Sequence, residues 1–444
     1  MEKEWKEMSA EERQEARFNR WLSPENIKFE SPETEASYKA NITRLKDVVQ
    51  LKKTPDRVPI FPFFTFMPAN LYGVKTIDIM NDPRKLVSTW KSYLEDYAPD
   101  FYISPALVGS SKCLEALDYK QYKWPGHGVS DNSPYQMVES EYMKEDEYSA
   151  LIDDPSDFWL RTYLPRMCGA LEPLKAIGPF TDIWEMPIVS GHFIGFGTPE
   201  VQSALKALME AGREAFEWGM HIIGFEAEAQ GKGFVNGAGG ISKAPFDIIG
   251  DTLRGSRGMI RDMYRQPDMV LKALEKITPL AIKQGLGGAN FSGNPIVFMP
   301  LHKGADGFMS DEQFKTFYWP TLKEVIVGLI NEGCVPLIFA EGGYNSRLEY
   351  LNELPKGHCI WLFDRTDMTK AKEVVGGTTC IAGNVPAGMI LTGTPDKVKE
   401  YCKDLIDVAG KDGGYIMSCG TSMDEGKPDT LHAMIDFTKE YGVY

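Results

Sequence analysis

The 444-residue sequence has no apolar run near the roughly 20 residues of a membrane-spanning helix. Its longest apolar runs, such as 335–340 (VPLIFA), are strand-sized. It also lacks a basic tract. Lys and Arg total 48 against 63 Asp and Glu, a net charge of −15, so nucleic acid is a poor candidate partner. The opening MEKEWKEMSAEERQEARFNRW has no apolar core of a secretory signal. The cysteines Cys113, Cys168, Cys334, Cys359, Cys380, Cys402 and Cys419 are odd in number, widely spaced and free of CxxC. They predict reduced thiols and a cytoplasmic location, away from membranes, rather than a disulfide scaffold. No GxGxxG opens a helix after a strand, and Gly-Ala-Gly-Gly at 237–240 lacks the Lys-Ser/Thr of a phosphate loop. HEXXH and GxSxG are absent as well.

What is present is a rhythm. Residues 1–55 are charged and helical in pattern, with Ser9 and Glu12 spaced as a capping box, and predict an N-terminal helical arm. From there apolar runs at 58–65, 101–107, 233–239, 296–301, 335–340, 359–363, 379–383 and 415–418 alternate with amphipathic stretches. The helical stretches are 83–97, 199–218, 267–284, 311–331, 347–354, 368–375 and 395–408. The alternation predicts an α/β fold, a (β/α)8 barrel over 56–444. Residues 109–196, rich in Tyr, Trp, Pro and Gly, exceed one βα unit and predict a long β2–β3 excursion with a helix near 155–175.

Barrel enzymes work at the C-terminal ends of their strands. There the sequence places His302, Glu341, Asp364, Asn384 and Cys419, each just after an apolar run. Glu341 precedes Gly342-Gly343, which allow a tight turn and close approach of a ligand. Each residue has a plain alternative: His302 a hydrogen-bonded loop residue, Asp364 a partner of Arg365 or a helix cap, Asn384 a turn, Cys419 a buried small apolar side chain. His302, Glu341 and Cys419 together form a donor set suited to Zn²⁺, which would polarise a substrate oxygen.

The runs PLIFAEGGYNSRLEYLNELPKG, FDRTDMTKAKEVVGG, IAGNVPAGMILTGTPDKVKEYCKDLI and GGYIMSCGTSMDEGKPDTLHAMIDFTKEYG resemble the C-terminal half of the uroporphyrinogen decarboxylase superfamily. Upstream, GGISKAPFDIIGDTLRG resembles the family's G-x-P-F segment. The resemblance spans about 58–444 and implies a (β/α)8 barrel. The decarboxylases carry an Arg-rich MRQAGRY motif and a late Gly-His-Gly. Here the first run reads FPFFTFMPANLYG without Arg, and the late segment reads Cys419-Gly420-Thr421. The His-x-Cys zinc motif of the corrinoid-dependent methyltransferases falls on Ala340 and Gly342, with Cys419 or Thr421 near the late Cys. A third branch, methyltransferase I of anaerobic O-demethylase systems, carries E-x14-E-x20-H, a spacing met once here at Glu185, Glu200 and His221. If 199–218 is one helix, about 20 residues span about 30 Å, too far for Glu200 and His221 to share an ion. The strand-end residues are therefore the preferred ligands, with Glu185, Glu200 and His221 the alternative set.

That branch implies an aryl methyl ether as donor and Co(I) of a corrinoid as acceptor. The chain has no Asp-x-His-x-x-Gly, so the resemblance implies cobalamin carried by a partner corrinoid protein. Zinc, Glu341, Asp364 or His302 would assist departure of the phenolate. Phe66, Trp184 and Tyr344, with Asn384, would line the ether pocket; Phe63 and Phe64 fit ordinary core better, since alternate strand residues face opposite ways. The other readings are a lyase acting on a small or aromatic carboxylic acid and a corrinoid-binding partner without catalysis. A homodimer is left open.

Overall fold

The apolar runs become parallel strands in a computed structural model of the chain, which describes residues 3–25, 27–181 and 185–444. A six-stranded sheet pairs Gly240–Ile241, Ile296–Leu301, Val335–Ala340, Ile360–Phe363, Cys380–Ala382 and Tyr415–Ile416 in that order, all parallel. A second parallel pair joins Phe101–Tyr102 to Val235–Asn236. The pair and the sheet share one stretch of chain. Gly237 N donates to Tyr102 O at 2.8 Å on one side, and Gly239 N to Ile296 O at 2.8 Å on the other. At the far edge the 59–64 run makes single parallel bridges, Ile60 to Met417 and Phe64 to Met423, and Ile60 O accepts from Phe101 N at 3.2 Å. This run was expected to be a strand. Pro59 and Pro62 have no N–H to give a ladder, which is why it pairs only at isolated residues.

Alternation along the strands sorts the core into two layers. Phe61, Phe63, Phe298, Leu337, Phe339 and Leu362 belong to one apolar cluster. Their neighbours Ile60, Val297, Ile338, Trp361 and Phe363 belong to the other, with the surrounding helices. Successive strand residues point to opposite faces, so the split is what a sheet covered on both sides requires.

The arm closes the first cluster. Its helices are Ala10–Leu22 and Pro32–Gln50. The capping box is formed: Glu12 N donates to Ser9 Oγ at 3.2 Å, and Ser9 N to Glu12 Oε2 at 2.8 Å. Phe18, Trp21, Tyr38, Ile42 and Leu45 enter the strand cluster. Arg17 Nε donates to Glu332 O at 2.7 Å and Arg13 Nη1 to Asn331 O at 2.6 Å, just before the Val335 strand. The arm therefore sits on the N-terminal ends of the strands, and the C-terminal ends stay open for chemistry.

Helices Pro83–Tyr97 and Met368–Val375 fill their predicted spans, each started by an Asp cap, Asp82 and Asp367. The helix at Pro199 runs on to Gly231, 33 residues in all. Buried Trp218, Ile222, Phe225 and Ala229 continue its three-to-four spacing past Gly219. The helix expected near 155–175 is instead a broken series, Pro155–Phe158, a π-turn Trp159–Tyr163, Leu164–Met167 and a 3-10 segment Gly169–Ala176. Cys168 is extended and Pro173 lacks an N–H, so no single helix continues. Among the described residues no helix is long and apolar enough to cross a membrane.

Candidate active site

The chain leaving the Gly240–Ile241 strand turns through Pro245–Asp247 into a π-helical segment, Ile248–Arg254. Asp247 and Asp251, four residues apart, lie on one side of it and face the end of the Ile296–Leu301 strand. Asp247, fully buried, accepts from His302 N and Lys303 N at 3.0 Å each and from Tyr318 OH at 2.6 Å. It thereby fixes how the chain turns at the strand end. Asp251 is the centre of the charged cluster. It accepts from His302 Nδ1 at 2.5 Å and Lys243 Nζ at 2.6 Å, and its Oδ1 lies 3.0 Å from Lys303 Nζ. With Nδ1 held by a carboxylate, the other ring nitrogen is free for chemistry. That atom, His302 Nε2, lies 3.7 Å from Glu341 Oε1. The His302 and Glu341 side chains are 32% and 44% exposed, more than Lys243, Lys303 or the two aspartates.

The electrostatics follow from this placement. Burial would raise the Asp251 carboxyl, but the His302 hydrogen bond and the Lys243, His302 and Lys303 charges hold it well below the usual range. Burial opposes a charge on His302, yet the bond to Asp251 and the charges of Asp251 and Asp247 raise it overall. Glu341 is raised by burial first, then by Asp247, Asp251 and Asp364, against the pull of His302. An imidazole and a carboxyl that both hold their protons more tightly than usual, side by side, can act as a proton-donating pair.

The excursion covers this cluster. Gln121 Nε2 donates to Asp251 O at 3.1 Å, and Met143 N to Leu253 O at 2.8 Å. Tyr122 is close enough to Asp251 and Glu341 for their charges to raise its hydroxyl, after burial, while Lys243 lowers it.

Of the other expected site residues, Asp364 and Tyr344 lie near enough to interact electrostatically with Glu341, and the rest stand away from the cluster. Asp364 accepts from Gly342 N at 2.9 Å and shapes the turn that carries Glu341. Asn384 is buried and donates to Asp364 O and Thr366 O at 3.0 and 2.8 Å, fastening two strand ends rather than facing a ligand. Phe66 is 1% exposed and packs edge-on to Tyr135 at 5.1 Å, within core. Tyr344 is likewise buried, with its hydroxyl beside that of Tyr318. Trp184 lies outside the described residues. Cys419 has no exposed surface and packs in the helix-facing cluster, and burial pushes its thiol up to about 12. It does not join His302 and Glu341, because its residue faces the helices and not the open end. Glu200 and His221 share one unbroken helix, about 30 Å apart along its axis, which removes the alternative ligand set.

A catalytic zinc site takes three protein ligands. Here two donor atoms face each other, His302 Nε2 and Glu341 Oε1, and among the described residues no group of three or more His, Cys, Asp or Glu is arranged to hold a metal ion. The zinc set expected from the sequence does not fit this donor arrangement.

Asp247, Asp251, Lys243 and Lys303 were not singled out from the sequence. The available signal was positional. Had the strand been ended at Ile241 rather than Gly239, Lys243 would have fallen at a strand end, with the Asp247/Asp251 pair on the turn behind it.

Residues 235–441 match the model of the uroporphyrinogen decarboxylase family. The matched region contains Asp247, Asp251, His302 and Glu341 and omits the arm and the whole excursion. The uroporphyrinogen decarboxylase of Coxiella burnetii (strain RSA 493 / Nine Mile phase I) is 23% identical over 256 residues, 55% of this chain and 65% of the relative. That of Geobacillus sp. (strain WCH70) is 24% identical over 208 residues, 46% of this chain and 58% of the relative. The chain thus covers less than two thirds of these curated relatives. A methyltransferase from Methanosarcina mazei has the same fold, with a TM-score of 0.57 at 14% identity over 90% of this chain and 98% of the other.

Proposed function

We propose that this chain is a methyltransferase that cleaves aryl methyl ethers and passes the methyl group to the corrinoid of a separate protein. The fold is read as a (β/α)8 barrel in which the 59–64 run supplies the strand between Phe101–Tyr102 and Tyr415–Ile416, with its open end at His302. The observation that carries the reading is the Asp251–His302–Glu341 arrangement at that end. The likeness of fold to a methyltransferase over 90% of the chain supports it. So does the first run, FPFFTFMPANLYG, which has no Arg for a polycarboxylate substrate.

Phenolate is a poor leaving group, since phenols lose their proton near pH 10. The acceptor, a corrinoid held by its own carrier, supplies the nucleophilic cobalt. The chain's residues handle the oxygen. As the methyl–oxygen bond breaks, its electron pair stays on the aryl oxygen, and His302 Nε2 gives its proton to that oxygen. Asp251 holds the ring in place and stabilises its charge before the transfer. Glu341, beside Nε2, returns a proton to the imidazole. Tyr122 and the excursion cover one side of the cluster, and His302 and Glu341 keep an open face for the ether. No step runs through a metal.

The test is a single-turnover assay with a guaiacol-like ether and cob(I)alamin. Phenol released in step with methylated corrinoid supports the reading, and His302→Gln should slow it on the order of 10²–10⁴-fold. Phenol without corrinoid, or CO₂ from an aromatic acid in the absence of cobalt, sinks it and favours the lyase reading.

A further inference from the structure

The end of the sheet opposite His302 also holds a charged cleft. Lys52 and Lys53 follow the arm's second helix, Lys356 precedes the Ile360 strand, and Lys372 lies on the helix before the Cys380 strand. The four lysines line one cavity of about 350 Å³, with Asp412 among them. A cavity of about 340 Å³ adjoins it, shares Lys52 and Lys356, and adds Glu11 and His358. In a chain of net charge −15 this is a local reversal of sign.

The amines are poorly neutralised. Lys52 pairs with Glu11. Among the described residues Lys53, Lys356 and Lys372 make no ion pair, and Lys372 Nζ donates to Gly413 O at 2.7 Å instead. Burial lowers the Lys372 ammonium, a cost that a bound anion would remove. Among the described residues His358 Nδ1 is buried without a hydrogen-bond partner. Gathering like charges in a half-enclosed space is unfavourable unless something of opposite charge enters. The cavity is bordered by two glycine pairs, Gly376-Gly377 and Gly413-Gly414. Gly413 and Gly414 both take positive φ, +80 and +72, and a Cβ at Gly414 would meet Leu51 Cδ2 at 2.8 Å, so the turn that shapes this wall needs glycine. Lysine ammoniums act as compact point charges, and among the described residues no arginine lines the cavity, which suits a phosphate better than the paired bonds a planar carboxylate takes.

We propose that this cleft, at the N-terminal ends of the strands, binds a small, multiply charged phosphate compound. The site stands apart from the His302 cluster, and the proposal does not depend on the reaction assigned there.

Calorimetric titration of the full chain with inorganic tripolyphosphate at low ionic strength tests it. Saturable one-to-one binding tighter than about 1 mM is expected. Lys53→Glu with Lys356→Glu should weaken it at least about tenfold. Lys272→Glu, on the exposed face of the Pro267–Ser292 helix, should change it less than about twofold. His302→Gln should leave it unchanged. If the Glu pair lowers the melting temperature, Lys53→Gln with Lys356→Gln replaces it, and the same loss is expected. No saturable heat, an equal loss in the Lys272→Glu protein, or equally tight binding of tricarballylate overturns the proposal.

Discussion

His302 is held between two carboxyls that differ in kind. Asp251 keeps its charge, while Glu341 is pushed toward its protonated form. The proton on His302 is raised above its ordinary value near 6.5. Ether cleavage should therefore be full at low pH and fall as pH rises through that raised value. In Asp251→Asn the ring loses its counter-charge, so the alkaline limb of kcat/KM should move to lower pH; an unmoved limb would remove His302 as the donor. Stability follows the same groups with opposite signs. The His302 contribution is complete below its ordinary value and is lost as pH rises through the folded one. The Asp251 contribution is present above the ordinary carboxylate range and is lost as pH falls through its depressed value. Thermal melts across pH should show a plateau between these limits that narrows in Asp251→Asn. Glu341→Gln keeps the shape of the side chain but not its proton, and should slow turnover about 10²-fold with little change in melting temperature. Since only two donors face each other, dialysis against a strong chelator should leave turnover within about twofold, and a larger loss would restore a Lewis-acid role.

The aspartates are aimed by the Ile248–Arg254 π-segment. One extra residue in the turn shifts the register of the helix, and such segments recur at functional sites. Behind it, fully buried Arg254 donates through Nε to fully buried Asp262 at 2.7 Å and through Nη1 to Met143 O at 2.6 Å. Tyr148 OH also donates to Asp262, at 2.9 Å. Asp262→Asn removes the carboxylate bonded to this buried guanidinium, leaving Glu141 at 3.9 Å as its nearest counter-charge, and should destabilise by about 3 kcal/mol, read by denaturant unfolding. Elements of this kind were the least legible in the sequence. Pro83–Tyr97 and Met368–Val375 were readable because an Asp cap and a regular stripe set their limits. Five strand-end residues were readable because apolar runs stop at them. Of these His302 and Glu341 come together, while Asn384 and Cys419 are buried, since a strand-end position does not tell which way a side chain turns. Asp251 was hidden because its role comes from the π-register and from a neighbouring strand, and neither leaves a periodic mark in the chain.

At the scale of the molecule, the two ends of the sheet carry different burdens. The arm seals the apolar strand layer at one end, with Phe18 fully buried in the same cluster as Phe298 and Leu337. The other end exposes His302 and Glu341. Among the described residues no hydrogen bond of the arm reaches the His302 cluster; Arg13, Gln14 and Arg17 bond to chain segments that precede the strands. Truncating a buried aromatic removes its transfer free energy and leaves a cavity, a loss of about 3–5 kcal/mol. Phe18→Ala should therefore lower the melting temperature by several degrees, and at a temperature where the variant stays folded its kcat should match the unaltered protein within about twofold. His302→Gln should do the reverse, cutting turnover strongly while the melting temperature holds. Distant sites without shared partners add in free energy to within about 0.5 kcal/mol, so the double variant should show both losses at their single-variant sizes. A turnover loss in Phe18→Ala alone, measured well below its melting temperature, would mean that the arm and the catalytic end are coupled through the strand layer.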